Sequence, residues 1–464
     1  MLDLWDPLLL ARIQFAFTVS FHIIFPALTI GLASWLAFIE WRWLKTGDKI
    51  YIEIYRSWSK VFAVAFGMGV VSGVVMAYQF GTNWSHFSDK VGNVLGPLLG
   101  YEVLTAFFLE ASFLGIMLFG WGRVSKKMHF VATMAVAIGT LVSAFWILSA
   151  NSWMQTPQGF VAYKDGVLYP SSWLEIIFNP SFPYRFFHMI TGAYLTTAFV
   201  VAGAGGYYIL KKQSVQHGKI ILTLAMLMIL VMAPLQLLIG DMHGLNTLKY
   251  QPVKVAAMEG IWETQKGASL KIFGIPDEKE ETTKYSLEIP KAASLILAHS
   301  TDGEVKGLKA WPKDQRPPVG PVFWSFRIMV LIGFLMILTG LRALYLYNKE
   351  RLFTCKWFHR WCVLMAPSGF IAILAGWMVT EIGRQPYVVY GIMRTLEAAS
   401  PISTGEVAFS LVAFILVYAA VFGAGVYYIL SLIKKGPAAA DHHDEYYEHS
   451  LECAFASKIT AKKH

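Results

Sequence analysis

Cysteine is almost missing. Cys355, Cys362 and Cys453 are the only three, and no two of them form a CxxC pair. An odd, scattered set excludes a disulfide framework and a thiolate zinc site. Charge is scarce as well: Asp, Glu, Lys and Arg make up 15% of 464 residues, against 56% hydrophobic. A soluble chain of this length would divide into two or three domains with short, periodic apolar runs. Here the apolar residues fall in blocks of about 20, each long enough to cross a hydrocarbon core as a helix. No repeat of fixed period is present. A basic leader is also missing: Met1 to Asp6 carries acids, and the first apolar block is longer than an h-region, so no cleavable signal peptide is expected.

What is there predicts an all-α integral membrane protein. Nine membrane helices are expected, at about 13–41, 61–80, 95–121, 130–152, 186–210, 220–240, 322–347, 361–380 and 407–432. The basic residues lie mainly in alternate short loops: Arg42/Lys45/Lys49/Arg56, Arg123/Lys126/Lys127, Lys211/Lys212/Lys219 and Lys349/Arg351/Lys356/Arg360, with Lys434 and Lys435 opening the tail. The other side carries only Lys90, Lys164, Arg185, Arg384 and Arg394 in its short loops. The positive-inside rule makes the first set cytoplasmic, the N-terminus periplasmic and the C-terminus cytoplasmic. The net charge of +9 therefore reports membrane orientation rather than nucleic-acid binding. The chain divides into helices one to six (1–240), an external loop (241–321), helices seven to nine (322–435) and a polar tail (436–464). A loop that long is functional or disordered. Its segments KVAAMEGIWE, read as a short helix over 254–263, and Leu287-Glu288-Ile289-Pro290 are expected to be ordered. The tail run Asp441-His442-His443-Asp444 reads as solvated, with a metal site as the alternative.

Of 12 histidines, two fall inside apolar blocks: His22 in FHIIFP and His188 in FFHM. A single buried imidazole is readily a core residue bonded to a carbonyl. Two in so apolar a chain point to ligands, since imidazole is the commonest protein ligand of haem iron. Two are too few for a haem–copper oxidase centre. Glu102 and Glu110, in YEVLTAFFLEASF, stand eight residues apart. That is about 12 Å along a helix axis and within a quadrant around it. Acids so placed form steps of a proton relay or ligate a metal; otherwise they are protonated groups bonded to neighbouring helices. Glu381 and Arg384, in GWMVTEIGRQPY, close the eighth block. Ionisable groups there face a partner, a cavity or a cofactor, unless they are an i,i+3 pair snorkelling at the interface. Met329 is by type a packing residue. Arg327, two residues earlier, is a permanent cation that suits a haem propionate or raises a redox potential.

These segments together carry a resemblance. Arg12-x-Gln14-Phe15 with FHIIFP, QFGTNWS (79–85), AFFLE (106–110), SAFWILSANSWMQ (143–155), FFHM, KVAAMEG, FGIPD, FWSFRIM and GRQP make the chain similar to subunit I of a cytochrome bd-type quinol oxidase, down to the tail. The resemblance implies the catalytic haem-bearing subunit of a terminal oxidase in the bacterial cytoplasmic (inner) membrane. Such an enzyme oxidises ubiquinol or menaquinol at the periplasmic side and reduces O2 to water with cytoplasmic protons, building a proton motive force without a pump. The implied cofactors are a low-spin haem b, a high-spin haem b and a haem d, or a b-type haem in its place. By the same resemblance His188 and Met329 are axial ligands of the low-spin haem and Arg327 tunes it. His22 and Glu381 each ligate one high-spin haem, which one being open. Glu102 stands beside the O2-reducing pair, within reach of iron, and Trp377 is an aromatic beside that pair. Arg384 partners a propionate. Glu110 and Ser143 are proton-path groups. Lys254 and Glu259 are the quinol-binding pair, about one helical turn apart, with Glu259 as proton acceptor and Lys254 favouring developing negative charge. The implied partners are quinol, O2, the lipid bilayer and a second multi-helix subunit (subunit II), with room for a small single-helix subunit; nucleic acid is not among them.

The external loop between Glu259 and Arg327 is short, which resembles the short-loop class that includes cyanide-insensitive oxidases, and leaves the quinone and the haem at the O2 site open. Tyr387 follows GRQP where tryptophan is usual, keeping an interfacial aromatic. Two other readings compete. One is a haem-free proton-coupled membrane transporter using Glu102, Glu110, Glu381 and Arg384; the other is a haem subunit that only passes electrons on. The ligand reading predicts that His188→Ala removes the low-spin haem absorption and quinol oxidation together; activity near wild type would show that His188 is not a ligand.

Overall fold

The computed structural model describes residues 6–163 and 165–437. Lys164, Cys453 and the His-rich run at 441–444 lie outside the described residues. Among those described, nine helices are long and apolar enough to cross a membrane: α1 (Pro7–Thr46), α2 (Lys49–Thr82), α3 (Ser85–Phe119), α4 (Lys126–Gln155), α5 (Phe182–Lys211), α6 (Val215–Tyr250), then, after the short α7 (Pro252–Glu259), α8 (Val319–Asn348), α9 (Lys356–Ile382) and α10 (Thr404–Lys435). The all-α class and the number of spans agree with the expectation. Eight spans overrun their apolar blocks at both ends, α6 by ten residues at its C-terminal end, while α3 begins ten residues early and stops at Phe119, two residues short of the expected end. Hydropathy marks the hydrocarbon thickness, whereas the helix continues wherever its own hydrogen bonds are the best available.

Local chemistry sets the boundaries. Asp6 caps α1 by accepting from the Leu8 N–H at 3.0 Å, and Asp48 does the same for α2 at 3.0 Å. Gly47, at φ 72°, ends α1 in the left-handed region and lets α2 begin at once. Ser403 and Glu406 form a reciprocal capping box on α10. Ala366 and Pro367 separate Lys356–Met365 from Ser368–Ile382 within α9, since proline supplies no N–H to the ladder. In α3 a π-turn, Val103–Phe107, follows Glu102 directly; such turns recur at functional sites. The quadrant estimate for Glu102 and Glu110 assumed unbroken α spacing, which this turn interrupts.

The helices α1 and α5 form the interior: 72% and 61% of their most apolar windows are buried, against 17–44% for the others. Five spans pack on them, α2, α4 and α10 on α1, and α6 and α9 on α5, while α3 packs on α4 and α8 on α6 and α9. Small residues let the backbones approach. A Cβ at Gly205 of α5 would stand 2.9 Å from the Leu222 nitrogen of α6. The external segment is ordered. Its β1 (Leu270–Asp277) and β2 (Thr282–Ile289) pair antiparallel, so Leu287-Glu288-Ile289 lies in a strand. The helix expected over 254–263 stops at Glu259, because Gly260 turns it off at φ 63°. Val253, Ala257, Met258, Val319, Val322 and Val379 form one apolar cluster, which presses α7 against the start of α8 and the end of α9. The ends of α4, α6 and α9 and the beginnings of α5 and α8 thus meet at one rim of the bundle.

Candidate active site

Four chain segments converge at that rim around Glu381. Arg384 pairs with it, and Asn151 of α4 donates to its Oε1 at 3.0 Å. Arg185 of α5 donates to the same Asn151 from the other side at 2.6 Å. Lys254 of α7 donates to the Gln155 side chain at 2.8 Å and to the Thr380 carbonyl at 3.1 Å, one residue before Glu381. Arg185, Arg384 and Lys254 are 7%, 5% and 2% exposed. One carboxylate is therefore enclosed by three buried cations. Nε of Arg185, and Nε and Nη1 of Arg384, have no hydrogen-bond partner among the described residues. Buried charges are normally paired and their donors satisfied. A surplus of cations with donors to spare fits an anionic group such as a haem propionate. Burial, together with the Arg185 and Arg384 charges, holds the Lys254 ammonium well below its usual range, Glu381 opposing.

Three of the four expected axial ligands, His22, His188 and Met329, share a second feature. Each faces a glycine of a neighbouring helix at a spot where a Cβ would crowd it. The built Cβ of Gly73 (α2) falls 3.1 Å from Cε1 of His22, that of Gly240 (α6) 3.3 Å from Cε1 of His188, and that of Gly376 (α9) 3.0 Å from Sδ of Met329. His188 Nδ1 is buried without a partner among the described residues, and its Nε2 is 3.4 Å from the Gln236 amide. His22 Nδ1 lies 3.0 Å from the Ser72 hydroxyl, leaving Nε2 for another partner. This donor set, two imidazoles, a thioether and a carboxylate, fits haem iron.

Ser143 donates to Glu102 Oε1 at 2.8 Å, joining those two expected proton-path groups. Glu110 is 6% exposed, lies against Gly139 of α4, and has Oε1 without a partner among the described residues. Trp377 packs with Ile30, Ala144, Phe182 and Ala193, between α1, α4 and α5.

The external pair is divided. Lys254 points to α4 and α9, whereas Glu259 is held by Arg327 of α8 at 3.1 Å. Arg327 also donates to the carbonyls of Met258 and of Lys271 in β1, and its guanidinium stacks 3.7 Å from the Phe323 ring. Expected to serve a haem, Arg327 is turned toward the loop and fastens α7 and the hairpin to α8. Glu259 is 5% exposed, and burial holds its carboxyl above the usual range although Arg327 pulls the other way. An aromatic cleft of about 870 Å³ opens at the same rim, lined by Phe145, Phe182, Tyr184, Phe186, Lys249 and Tyr250.

Sequence reasoning passed over Arg185, counted only as a loop cation, although FPYRFFH sets it one turn before His188. It also passed over Asn151, which lay inside a motif without a role. His86, His129, His217, His243 and His359 all lie on spanning helices that outrun their apolar blocks. His243 stands 5.4 Å from His188, ring to ring.

Comparison with known proteins gives one answer. The family described as cytochrome bd terminal oxidase subunit I matches residues 10–437. The chain is 39% identical to cytochrome bd ubiquinol oxidase subunit 1 of Bacillus subtilis (strain 168) over 448 residues, covering 94% of this chain and 96% of that one. It is 34% identical to cytochrome bd-II ubiquinol oxidase subunit 1 of Escherichia coli (strain K12) over 510 residues, covering 94% and 98%. Among solved structures, bd oxidase from Geobacillus thermodenitrificans superposes with a TM-score of 0.86 at 33% identity, over 93% of this chain and 99% of that chain.

The bridge at Asn151 yields a test. Asn151→Leu removes the donor to Glu381 and the acceptor from Arg185 at once, so thermal unfolding should report a loss of about 1–3 kcal/mol. An unchanged midpoint would show that the bridge contributes nothing.

Proposed function

The chain belongs to the cytochrome bd terminal oxidase subunit I family, and on that premise we propose how its residues divide the reaction. It is a multi-pass protein of the bacterial inner membrane and the haem-bearing subunit of a quinol:oxygen oxidoreductase of the respiratory chain, working with a subunit II. Bound haem supplies one-electron transfer and the reduction of O2. The observation that carries the residue assignment is the surplus of buried cations around Glu381, with guanidinium donors unused.

In this reading His188 and Met329 hold a low-spin b haem, and His22 and Glu381 each hold one of two high-spin haems, a b haem and a haem d or a b-type haem in its place. Arg384 and Arg185 receive propionates. Trp377 packs beside the high-spin pair, and Glu102, bonded to Ser143, stands at the O2 side of it. Three glycines opposite His22, His188 and Met329 support the ligand set, because each keeps a neighbouring helix clear of the donor.

Quinol oxidation is assigned to α7. Glu259 takes the proton of the quinol hydroxyl as electrons leave, and Arg327 holds that carboxylate in position. Lys254 offers a donor to the developing charge and ties α7 to α4 and α9. The aromatic cleft ends at Lys249 and Tyr250, directly before α7, and suits the apolar tail of a quinol. We assign segment 241–321 as the periplasmic quinol loop, of the short class, between the membrane parts 1–240 and 322–435, with 436–464 as a cytoplasmic tail. The loop charges support this sidedness. Protons released at Glu259 then leave outward, while those consumed come from the basic-loop side past Glu110, which charges the membrane without a pump. A small single-helix subunit completes the proposed complex. The family assignment leaves the transporter reading without support.

Because burial holds the Glu259 carboxyl above its usual range, the ionised base is lost as pH falls through that raised value. Quinol oxidation should therefore show an acid limb above the ordinary carboxylate range. Glu259→Gln should remove that limb and slow quinol oxidation on the order of a hundredfold, with every haem band retained. Loss of haem bands in this variant would contradict the assignment, as would an unchanged rate.

A further inference from the structure

A second set of buried polar groups sits at the opposite rim, away from the cluster around Glu381. Glu40 of α1, Tyr55 of α2 and Thr133 of α4 are 0% exposed, and His129 of α4 is 1% exposed. His129 Nδ1 lies 2.7 Å from Glu40 Oε1. The Thr133 hydroxyl donates to Glu40 Oε2 at 2.5 Å, and the Tyr55 hydroxyl lies 2.6 Å from Thr133 Oγ1. Three helices thus meet on one buried carboxylate. The groups facing it from outside are the Trp121 ring, 3.7 Å from the His129 ring, and Arg56, stacked 5.3 Å from Trp121. His129 Nε2 is buried and has no hydrogen-bond partner among the described residues. A joint between helices has no use for a carboxylate and an imidazole whose second nitrogen is left over, since both are costly to bury. A station that exchanges protons with water needs both.

The helix that carries His129 also leads inward. Thr133, Thr140 and Ser143 recur at helical spacing, so they share one face of α4. Ser143 ends that face on Glu102 at 2.8 Å, and Gly139 lies against Glu110, whose Oε1 has no partner among the described residues. From Thr133 to Gly139 is six residues, about 9 Å along the axis. That is a distance a few water molecules would bridge.

We propose that the Glu40–His129 couple collects protons at the basic-loop rim, and that the polar face of α4 passes them to Glu110. The proposal rests on the oxidase reading, which requires protons from that side. Each hand-off moves one proton and no electron. Water gives a proton to His129 Nε2, the Nδ1 proton passes to Glu40 Oε1, and the protonated carboxyl yields a proton inward past Thr133. One proton travels for each electron delivered to O2.

The test uses the purified complex with its haems. Glu40→Gln keeps the size and shape of the side chain, with one acceptor turned into a donor, and cannot cycle between carboxyl and carboxylate. It should assemble with the wild-type absorption spectrum, thermal midpoint and quinol KM, while kcat falls on the order of a hundredfold and its D2O isotope effect rises. Glu40→Asp should restore most of the rate. Thr133→Val, which removes only the hydroxyl, should lower kcat less while leaving the spectrum intact. Wild-type kcat in Glu40→Gln would overturn the proposal. So would a loss of kcat that runs parallel to lost haem bands or a lower midpoint, since that is the behaviour of a structural joint. A wild-type complex that consumed no O2 with quinol would remove the oxidase reading itself, and this proposal with it.

Discussion

A charge enclosed by hydrocarbon and protein must find its counter-charge nearby, and the rim around Glu381 is built on that constraint. Glu381 alone would have one cation at i+3. The fold brings it two more, Arg185 from α5 and Lys254 from α7, with Asn151 bridging carboxylate and guanidinium. The sum is positive and several donors are unused among the described residues, an arrangement that further negative charge would stabilise. In the proposed function anionic cofactor edges meet that need, and the same hydrogen bonds tie the end of α9 to α4, α5 and α7 in one unit. Arg327 works by the same rule on the loop side, where it holds Glu259, two carbonyls and the Phe323 ring at once.

Much of this was legible in the sequence, for identifiable reasons. Apolar blocks of bilayer length reveal spans without any tertiary information, because backbone groups in lipid have no other partners. Glu381 and Arg384 are close in sequence, and their position at a block end gave them away, whereas Lys254 and Glu259 were marked by the resemblance that KVAAMEG carries. Asn151 and Arg185 were not legible, because their partners lie 230 and 34 residues off in the chain and no periodicity links them. The same holds for the glycines opposite His22, His188 and Met329, whose meaning appears only when two helices are side by side. The π-turn after Glu102 has no signature in its composition. Arg327 was recognised as unusual, but its direction depends on the hairpin, which sequence spacing does not report.

The two rims divide the molecule by chemistry. One gathers cations, histidines and the external loop, suited to anionic cofactors and to quinol. The other gathers a buried carboxylate and imidazole beneath basic loops, suited to protons. Between them α3 and α4 carry Glu102, Glu110 and Ser143. An enzyme that takes electrons and releases protons on one side, and draws protons from the other, needs that separation of parts.

The most direct measurement is the absorption spectrum of the purified complex, dithionite-reduced minus air-oxidised. Low-spin and high-spin haem bands should both be present, with a chlorin band if haem d occupies the O2 site. A spectrum without haem bands would contradict the assignment of His22, His188, Met329 and Glu381 as ligands, and low-spin bands alone would contradict O2 reduction in this chain.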